Sequence, residues 1–381
     1  MSILGFALSL LLIVLVLVDG FETILQPRRV VHRYRFVRLY YTSTWALWRA
    51  VALCISRRSL RGAFLSIFGP LSILGLFSMW LAGLIVGFAL LHWSVDSPVH
   101  TPDPSPGFQT YLYLSGTTFF TLGYGDITPT ATLGRILAVV EAGLGFGFLA
   151  IVVSYLPVLF QAFSHREVEI SLLDARAGSP PSAAQILLRV ARSGGTDALG
   201  AMLRDWERWA AELLESHLSF PVLSYYRSQH DNQSWLATLT AILDTCAILI
   251  AEVKGADRYQ AQLTFAMARH AAVDLTLVLK TPMRSTEEDR LSPAQLQRLC
   301  QLLREVGVEL HGSDASAGRI AELRGMYEPF LISLGDQFLL SVPPVLAETS
   351  AADNWQKSAW MGRTPGIGDL PPAEAADEGH F

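Results

Sequence analysis

The six residues Thr121-Leu122-Gly123-Tyr124-Gly125-Asp126 stand between two apolar segments, each of which is long enough to cross a membrane. Glycine at alternate positions lets the backbone adopt left-handed dihedral angles at Gly123 and Gly125, where a Cβ atom would clash. In such a segment successive backbone carbonyls can all point to one side. Four copies around an axis would form a column of oxygen rings able to replace the water shell of a monovalent cation.

The flanking sequence has the order of elements that such a segment needs. Residues 64–93 carry no formal charge and are ample for one tilted membrane span. Residues 94–107 are rich in proline and predict an external loop. Residues 108–120 are too short to span a membrane and predict a re-entrant helix that leads into the six residues. Residues 133–160 predict a second span, which delivers the rest of the chain to the cytosol.

The segment resembles the selectivity filter of potassium channels, whose usual form is Thr-Val/Ile/Leu-Gly-Tyr-Gly-Asp. Pro129 and Gly134-Arg135, at the start of the following helix, are similar to the two-helix potassium-channel pore unit, and the resemblance covers about residues 70–160. It implies a channel that passes K⁺ down its electrochemical gradient without a cofactor. Because the segment occurs once per chain, four chains are needed to close a ring, which predicts a homotetramer.

The resemblance also implies roles for the residues of the filter. The implied ion ligands are the Thr121 hydroxyl and the backbone carbonyls of Thr121, Leu122, Gly123 and Tyr124. Gly125 completes the filter, and Asp126 is implied to concentrate cations at its outer mouth.

Candidates for filter support or gating are Thr117, Glu141, Gly143, Gly147 and Pro157. Glycine lowers the cost of bending a helix and proline removes a helical hydrogen bond, so the glycines and Pro157 are candidate hinges. Close packing against the re-entrant helix is the alternative for the glycines. Glu141 is an acid inside a membrane span and is therefore a functional candidate. The resemblance implies that it braces the filter from behind, and lining the pore is the alternative.

Composition predicts a membrane protein with a water-soluble domain. Of 381 residues, 51% are hydrophobic and 17% are charged, which is too apolar for one ordinary soluble domain. Residues 27–61 contain nine arginines and no acid, whereas residues 164–381 contain 19 Lys+Arg against 28 Asp+Glu. This distribution favours a lipid bilayer as partner over a nucleic acid. The three distant cysteines predict neither a disulfide framework nor a zinc site, and no catalytic constellation indicates an enzyme.

The first 63 residues predict one more span and a basic connector. Residues 1–26 contain an apolar helix that just crosses a bilayer core. A cleaved signal peptide is the alternative, disfavoured because a positive N-terminal region and a cleavage site are missing. Residues 27–63 predict a basic cytosolic or interfacial connector, whose aromatic residues would face the membrane interface: Tyr40, Tyr41, Trp45 and Trp48.

The alternative for the connector, a voltage sensor, is disfavoured because its arginines break the apolar phase. The arginines place the connector in the cytosol by the positive-inside rule, so the N-terminus is expected outside the cell (plasma or inner) membrane.

Residues 64–163 constitute the predicted pore domain, residues 164–349 a predicted all-α cytosolic domain, and residues 350–381 a predicted disordered acidic tail. Helical patterns lie near residues 182–192, 198–217, 233–253, 257–279, 292–306 and 316–334. No Gly-x-Gly-x-x-Gly follows a strand pattern, which disfavours a Rossmann-type nucleotide domain and leaves a regulatory ligand unknown. Helix caps and a solvated face best explain a set of polar residues, with an ion or ligand site as the alternative: Glu212, Glu215, His217, His230, Asp231 and Asp244.

The sequence therefore predicts an all-α membrane protein. Its parts are a tetrameric potassium-channel pore (outer helix, pore helix, filter and inner helix), one N-terminal transmembrane helix and an all-α cytosolic domain. A less selective monovalent cation channel is the first alternative function. A membrane sensor or scaffold that uses the pore unit for oligomerisation is the second.

Overall fold

A computed structural model of the chain describes residues 3–24, 36–102, 105–192, 196–228, 233–283 and 289–347. The protein is all-α, as predicted, and the chain divides into two compact units, Met1–Gln161 and Ala162–Phe381. The predicted pore domain falls almost wholly in the first unit, and the predicted cytosolic domain falls in the second. The predicted acidic tail lies outside the described residues.

The first unit is built from long helices and one short β-ribbon. Its helices are α1 (Ile3–Ile24), α2 (Phe36–Cys54), α3 (Arg58–Ser94), α4 (Phe108–Phe119) and the first part of α5 (Thr132–Ala177), and its antiparallel strands are β1 (Val99–His100) and β2 (Thr128–Pro129). Three of the helical segments are long and apolar enough to cross a membrane: α1, α3 and Thr132–Asp174 of α5. They coincide with the predicted N-terminal, outer and inner helices.

α3 is the helix along which α1 and α2 both pack. Its 37 residues extend about 55 Å, well beyond a bilayer core of about 30 Å. α1 runs antiparallel to the C-terminal half of α3, with Ile13 against Gly87 and Val16 against Gly83. A Cβ atom at either glycine would lie less than 3 Å from the α1 side chain, so the two glycines permit the close approach of α1.

Asp19 provides the polar contact between α1 and α3. An acid in an apolar helix requires a polar partner, and the indole N–H of Trp80 donates a hydrogen bond to Asp19 Oδ2 at 2.8 Å. The Trp80 side chain is completely buried. The pair therefore fixes the register of α1 on α3.

α2 packs on the N-terminal half of α3 through its aromatic face. The Tyr40 hydroxyl donates to Ser72 O at 2.8 Å, and the Trp48 ring stacks on Phe64 with centroids 4.3 Å apart. Trp45 is buried as well. Packing against α3 removes much of the apolar area of these rings from water. The position of Tyr40, Tyr41, Trp45 and Trp48 at the membrane interface stays a prediction.

The basic connector is described only in its second part. Residues 25–35, with Arg28, Arg29, Arg33 and Arg35, lie outside the described residues. α3 begins at Arg58, so the last six residues of the predicted connector form the start of the outer helix.

α5 passes without a break from the first unit into the second. The sequence predicts an inner helix over residues 133–160 that continues as an amphipathic helix, and both parts belong to this one helix. Within the second unit, Ile170, Leu173 and Ala177 of α5 join the hydrophobic core. The end of α5 is therefore a structural part of the second unit.

The second unit is a helical bundle around one fully buried helix. After α5 come α6 (Ala183–Arg192), α7 (Thr196–Ser219), a 3₁₀ helix (Pro221–Tyr225), α8 (Trp235–Ala251), α9 (Arg258–Val278), α10 (Pro293–Glu305), α11 (Asp314–Gly325) and α12 (Glu328–Phe338). All 17 residues of α8 are buried. A helix that is apolar on every side belongs in a core, and α8 is the centre of this bundle.

The bundle differs from the sequence prediction in two local features. The pattern over residues 316–334 predicts one helix, but α11 and α12 are separated at Met326-Tyr327, and Pro329 lies in the first turn of α12. The N-terminus of α8 is capped by Ser234, whose side chain accepts a hydrogen bond from the backbone N–H of Ala237. Asp231, one of the polar residues that the sequence explains by helix caps and a solvated face, lies outside the described residues.

Two polar residues predicted on a solvated face are buried instead. Asp244 accepts hydrogen bonds from Arg290 Nη2 at 2.6 Å and from the Tyr327 hydroxyl at 2.5 Å. The Tyr327 side chain is fully buried, which explains why the chain turns into the core between α11 and α12. An ion pair with hydrogen bonds on both partners offsets much of the cost of removing the Asp244 charge from water.

His217 is the second buried polar residue. It lies beside Arg166 of α5, with 3.4 Å between Arg166 Nη1 and His217 Nε2, and its Nδ1 lies 2.8 Å from Leu213 O. Arg166 also donates to Leu223 O at 2.9 Å and to Tyr226 O at 3.0 Å. Arg166 thereby joins α5 to α7 and to the 3₁₀ helix.

The remaining members of the predicted polar set do not gather into a site. Glu212 pairs with the exposed His165 at 2.8 Å, Glu215 is exposed, and His230 and Asp231 lie outside the described residues. Within the described ranges, no three His, Cys, Asp or Glu side chains group as metal ligands would.

The buried imidazole makes the stability of the second unit depend on pH. Burial, and secondly the Arg166 charge, lower the pKa of His217 to about 3, whereas the unfolded chain has a histidine pKa of about 6.5. The unfolded state therefore binds the extra proton between these values, and stability falls as pH decreases through this range. We expect a loss of about 2 kcal/mol between pH 6.5 and pH 5.

Thermal unfolding of the wild type and of His217→Gln at both pH values measures this loss. The variant should show a smaller decrease, and His165→Gln, at an exposed histidine, should behave as the wild type. Equal decreases in all three proteins would contradict the expectation.

Candidate functional site

The end of α4 leads directly into the predicted filter. The N–H of Thr121 donates to Thr118 O at 3.0 Å and the N–H of Leu122 donates to Thr117 O at 2.8 Å, which together form a Schellman motif. Thr121 occupies its left-handed position with φ 55°, where glycine is usual. A β-branched residue costs about 1–2 kcal/mol in this conformation. Strain of this kind is typical of functional sites.

Left-handed residues alternate along the predicted filter. Thr121, Gly123 and Gly125 have φ angles of 55°, 58° and 80°, and Leu122 and Tyr124 between them do not have a positive φ. The left-handed conformation predicted for the two glycines is confirmed, and the sequence missed the same conformation at Thr121. All six residues from Thr121 to Asp126 are exposed in the single chain. The predicted filter segment therefore lies on the surface of the single chain.

The segment after the filter is tied to the segment before α4. β1 and β2 pair Val99 with Pro129, and the N–H of Thr130 donates to Pro98 O at 2.9 Å. These contacts hold the side of the filter that carries Asp126.

Glu141 lies behind the filter segment in a completely buried polar cluster. Its Oε1 is hydrogen-bonded to Ser115 Oγ of α4, and its Oε2 lies 3.9 Å from His92 Nε2 of α3. Ser115 Oγ also lies 2.8 Å from Ile85 O. All three side chains of this cluster, His92, Ser115 and Glu141, are 0% exposed. The cluster thus joins α3, α4 and α5.

Sequence reasoning singled out Glu141 but missed His92 and Ser115. Residues 64–93 carry no formal charge, but the histidine in this apolar span is itself a signal of a polar contact. Ser115 carries no such signal, because serine is common on membrane helices and often bonds to its own helix.

The candidate hinge glycines differ in their surroundings. A Cβ atom at Gly145 would lie 2.2 Å from Phe119 O, whereas one at Gly143 or Gly147 would meet nothing within 4 Å. Gly145 is therefore the position at which the inner helix receives the backbone of α4. A hinge role for Gly143 and Gly147 stays a prediction.

The other two candidates lie within regular helix. Pro157 is exposed inside α5, which continues through it. The Thr117 hydroxyl donates within its own helix, 3.0 Å from both Tyr113 O and Leu114 O. Their roles in gating and support stay predictions.

A hydrophobic cluster supports α4 on the side away from the filter. Phe119 of α4 is fully buried in it together with Leu84 and Phe88 of α3, and Ile13 of α1 belongs to the same cluster. The N-terminal helix is therefore part of the packing that positions the pore helix.

Comparison with known proteins identifies the region of the pore unit. Residues 75–162 match a family whose description is "Ion channel". This match supports an ion-channel pore family for that part of the chain. It includes the end of α3, α4, the predicted filter and the first-unit part of α5.

Three curated relatives are similar to parts of the chain. Protein LctB of Geobacillus stearothermophilus is 35% identical over 85 residues, which are 20% of this chain and 63% of LctB. Protein LctB of Bacillus caldotenax is 33% identical over the same length. The uncharacterized membrane protein YdjJ of Bacillus subtilis (strain 168) is 25% identical over 183 residues, 47% of this chain and 52% of YdjJ. The chain thus spans about half to two thirds of these relatives, and no solved structure matches it.

The contact between Gly145 and Phe119 O predicts a difference between two neighbouring glycines. Gly145→Ala places a methyl group where the backbone of α4 lies, and overpacking of this kind costs about 1–3 kcal/mol. Gly143→Ala meets no neighbour in the chain, and alanine stabilises a helix interior by about 0.5–1 kcal/mol over glycine.

Thermal unfolding of the purified protein in detergent compares the two. The midpoint should fall for Gly145→Ala and should be unchanged or higher for Gly143→Ala. If Gly145→Ala unfolds at the wild-type temperature, α4 is not seated on α5 at this point.

Proposed function

We propose that the chain forms a potassium-selective channel, in which four copies place their Thr121–Asp126 segments around a common axis. K⁺ passes down its electrochemical gradient through rings of backbone oxygens from Thr121, Leu122, Gly123 and Tyr124. No cofactor and no chemical step take part. The family match of residues 75–162 supports an ion channel, and potassium selectivity is the finer part of the proposal.

The alternation of φ angles in the filter segment carries this proposal. When every second residue is left-handed, successive peptide planes turn so that their carbonyls face the same side. Such a row of carbonyl dipoles can replace the hydration shell of a potassium ion. The sequence of the segment, with Tyr124 between two left-handed glycines, supports potassium over other cations by its resemblance to potassium-channel filters.

The homotetramer follows from the number of segments. One chain contributes one row of carbonyls, and a dehydrated cation needs oxygens on all sides, so the ring is incomplete without further copies. Closed cyclic symmetry is the usual way in which identical chains complete such a site. The exposure of all six residues in the single chain supports this arrangement.

The proposed location is the cell membrane. Three apolar helical segments long enough to cross a bilayer support it, as does the similarity to a protein named a membrane protein. Nine arginines between residues 27 and 61 favour the cytosol for the connector, which places the N-terminus outside and the second unit inside. In this proposal the second unit senses an unknown ligand, and α5 carries its response to the inner helix.

Two further functions are distinguished by measurement. A less selective monovalent cation channel would give a reversal potential that barely responds to exchange of sodium for potassium. A sensor or scaffold that uses the pore unit for oligomerisation would assemble but pass no ions under any ligand or voltage.

Substitutions in the filter test potassium selectivity. Gly123→Ala forces a side chain into a left-handed conformation at a cost of about 1–2 kcal/mol, and Tyr124→Val removes the aromatic ring of the predicted filter. We expect both variants to lose potassium selectivity. Leu122→Val is the matched control, because this residue does not have a positive φ and keeps its backbone carbonyl. The variant should retain potassium selectivity.

Reversal potentials in mixed potassium and sodium, recorded from protein reconstituted in bilayers, provide the measurement. Potassium-selective currents through Gly123→Ala and Tyr124→Val would overturn the filter assignment.

A further inference from the structure

The buried cluster of His92, Ser115 and Glu141 contains more polar atoms than its hydrogen bonds use. His92 Nδ1, His92 Nε2 and Glu141 Oε2 are buried and have no hydrogen-bond partner. Buried polar atoms are normally paired, so a cluster with such atoms where three helices meet requires an explanation beyond packing.

The hydrogen bonds of the Ser115 hydroxyl indicate how many protons the cluster needs. Its hydroxyl has one proton but lies at hydrogen-bonding distance from two oxygens, Ile85 O and Glu141 Oε1. Both contacts are hydrogen bonds if Ser115 donates to Ile85 O and a protonated Glu141 donates to Ser115 Oγ. A chain of hydrogen bonds then runs from the inner helix through the pore helix to the outer helix.

The imidazole of His92 is the second group that can hold the proton of the Glu141 carboxyl. Glu141 protonated beside a neutral His92 and an ionised Glu141 beside an imidazolium are both neutral pairs. Removing the proton leaves an isolated buried carboxylate at Glu141. Adding a second proton leaves an isolated imidazolium at His92. Each of these charges is strongly disfavoured in an apolar environment.

Other titratable groups on the surrounding helices have different partners. α4 carries no charged residue; the Tyr111 hydroxyl donates to Ser97 O, Arg135 donates to Pro129 O, and Asp19 accepts from Trp80. Among the described residues, His92 and Ser115 are the polar side chains paired with the Glu141 carboxyl.

We propose that one proton, shared between Glu141 and His92, clamps α4 to α3 and α5 and thereby positions the filter that begins two residues after α4. This rests on the proposed channel function for its effect on ion flux, but the clamp itself does not. His92, Ser115 and Glu141 are positioning residues in this arrangement, and alkaline conditions that remove the shared proton disable the filter.

Infrared spectroscopy of the full-length protein in phosphatidylglycerol and phosphatidylethanolamine vesicles tests the proton directly. At neutral pH the wild type should show the C=O stretch of a protonated carboxyl, which Glu141→Gln should lack. Glu322→Gln, at an exposed carboxyl of α11, is the matched control and should retain it. His92→Gln removes the second group that can hold the proton. The carboxyl band of this variant should therefore be at least as strong as that of the wild type.

Potassium flux from the same vesicles tests the consequence. The wild type should lose about tenfold of its flux at alkaline pH as the carboxyl band disappears, because a lost buried hydrogen bond shifts an equilibrium by about that factor. Glu141→Gln, whose amide can make the same contacts without titrating, should keep its flux. Ser115→Ala should reduce flux already at neutral pH, and Ser115→Thr should restore it.

The outcomes separate the clamp from the channel. A carboxyl band in the wild type without flux in any protein would refute the channel and support the clamp. Absence of the band at neutral pH from both the wild type and His92→Gln would overturn the clamp, and so would an equal alkaline loss of flux in wild type and Glu141→Gln. If Glu141→Gln fails to fold, Glu141→Asp should shift the band rather than remove it.

Discussion

Backbone polar groups at membrane depth must find partners inside the protein or in the ion path, because the bilayer core supplies no water. The end of α4, which is predicted to lie at that depth, satisfies this constraint. The two N–H groups after the helix are satisfied by the Schellman motif, and the carbonyl of Phe119 lies against the bare Cα of Gly145. The six residues of the predicted filter that follow are exposed in the single chain. The strain of Thr121 in the left-handed conformation is compatible with the proposal that the carbonyls of this backbone bind an ion and do not make hydrogen bonds within the fold.

The rest of the first unit supports that backbone from behind. α3 provides the surface on which α1 and α2 both pack, and the core formed with α1 reaches Phe119 at the end of α4. Polar contacts among the described residues lie where helices meet, as in the pairs of Asp19 with Trp80 and Glu141 with Ser115. In an apolar environment such contacts specify one register among many that dispersion forces alone would tolerate.

Features that depend on local sequence could be predicted, and features that depend on distant partners could not. The membrane-length helices, the pore helix and the left-handed glycines follow from run length and residue type. The burial of Asp244 and His217 does not, because their partners Arg290 and Arg166 lie 46 and 51 residues away. The turn between α11 and α12 could not be predicted for the same reason. The apolar pattern continues through the turn, and the turn depends on the contact of Tyr327 with a carboxylate that is distant in the sequence. For the same reason the candidate site could be located from the filter motif, whereas His92 and Ser115 required the packing of three helices.

The contact between Asp19 and Trp80 has a consequence for the order of events during synthesis. Trp80 follows Asp19 by 61 residues, which a ribosome adds in about 3–12 s. During that interval α1 carries its acid without the indole that later accompanies it. An apolar helix with an acid near one end is most stable with that end at the membrane surface, where water can reach the carboxylate. The register of α1 on α3 is therefore set only after Trp80 has been added, when its indole N–H reaches Asp19.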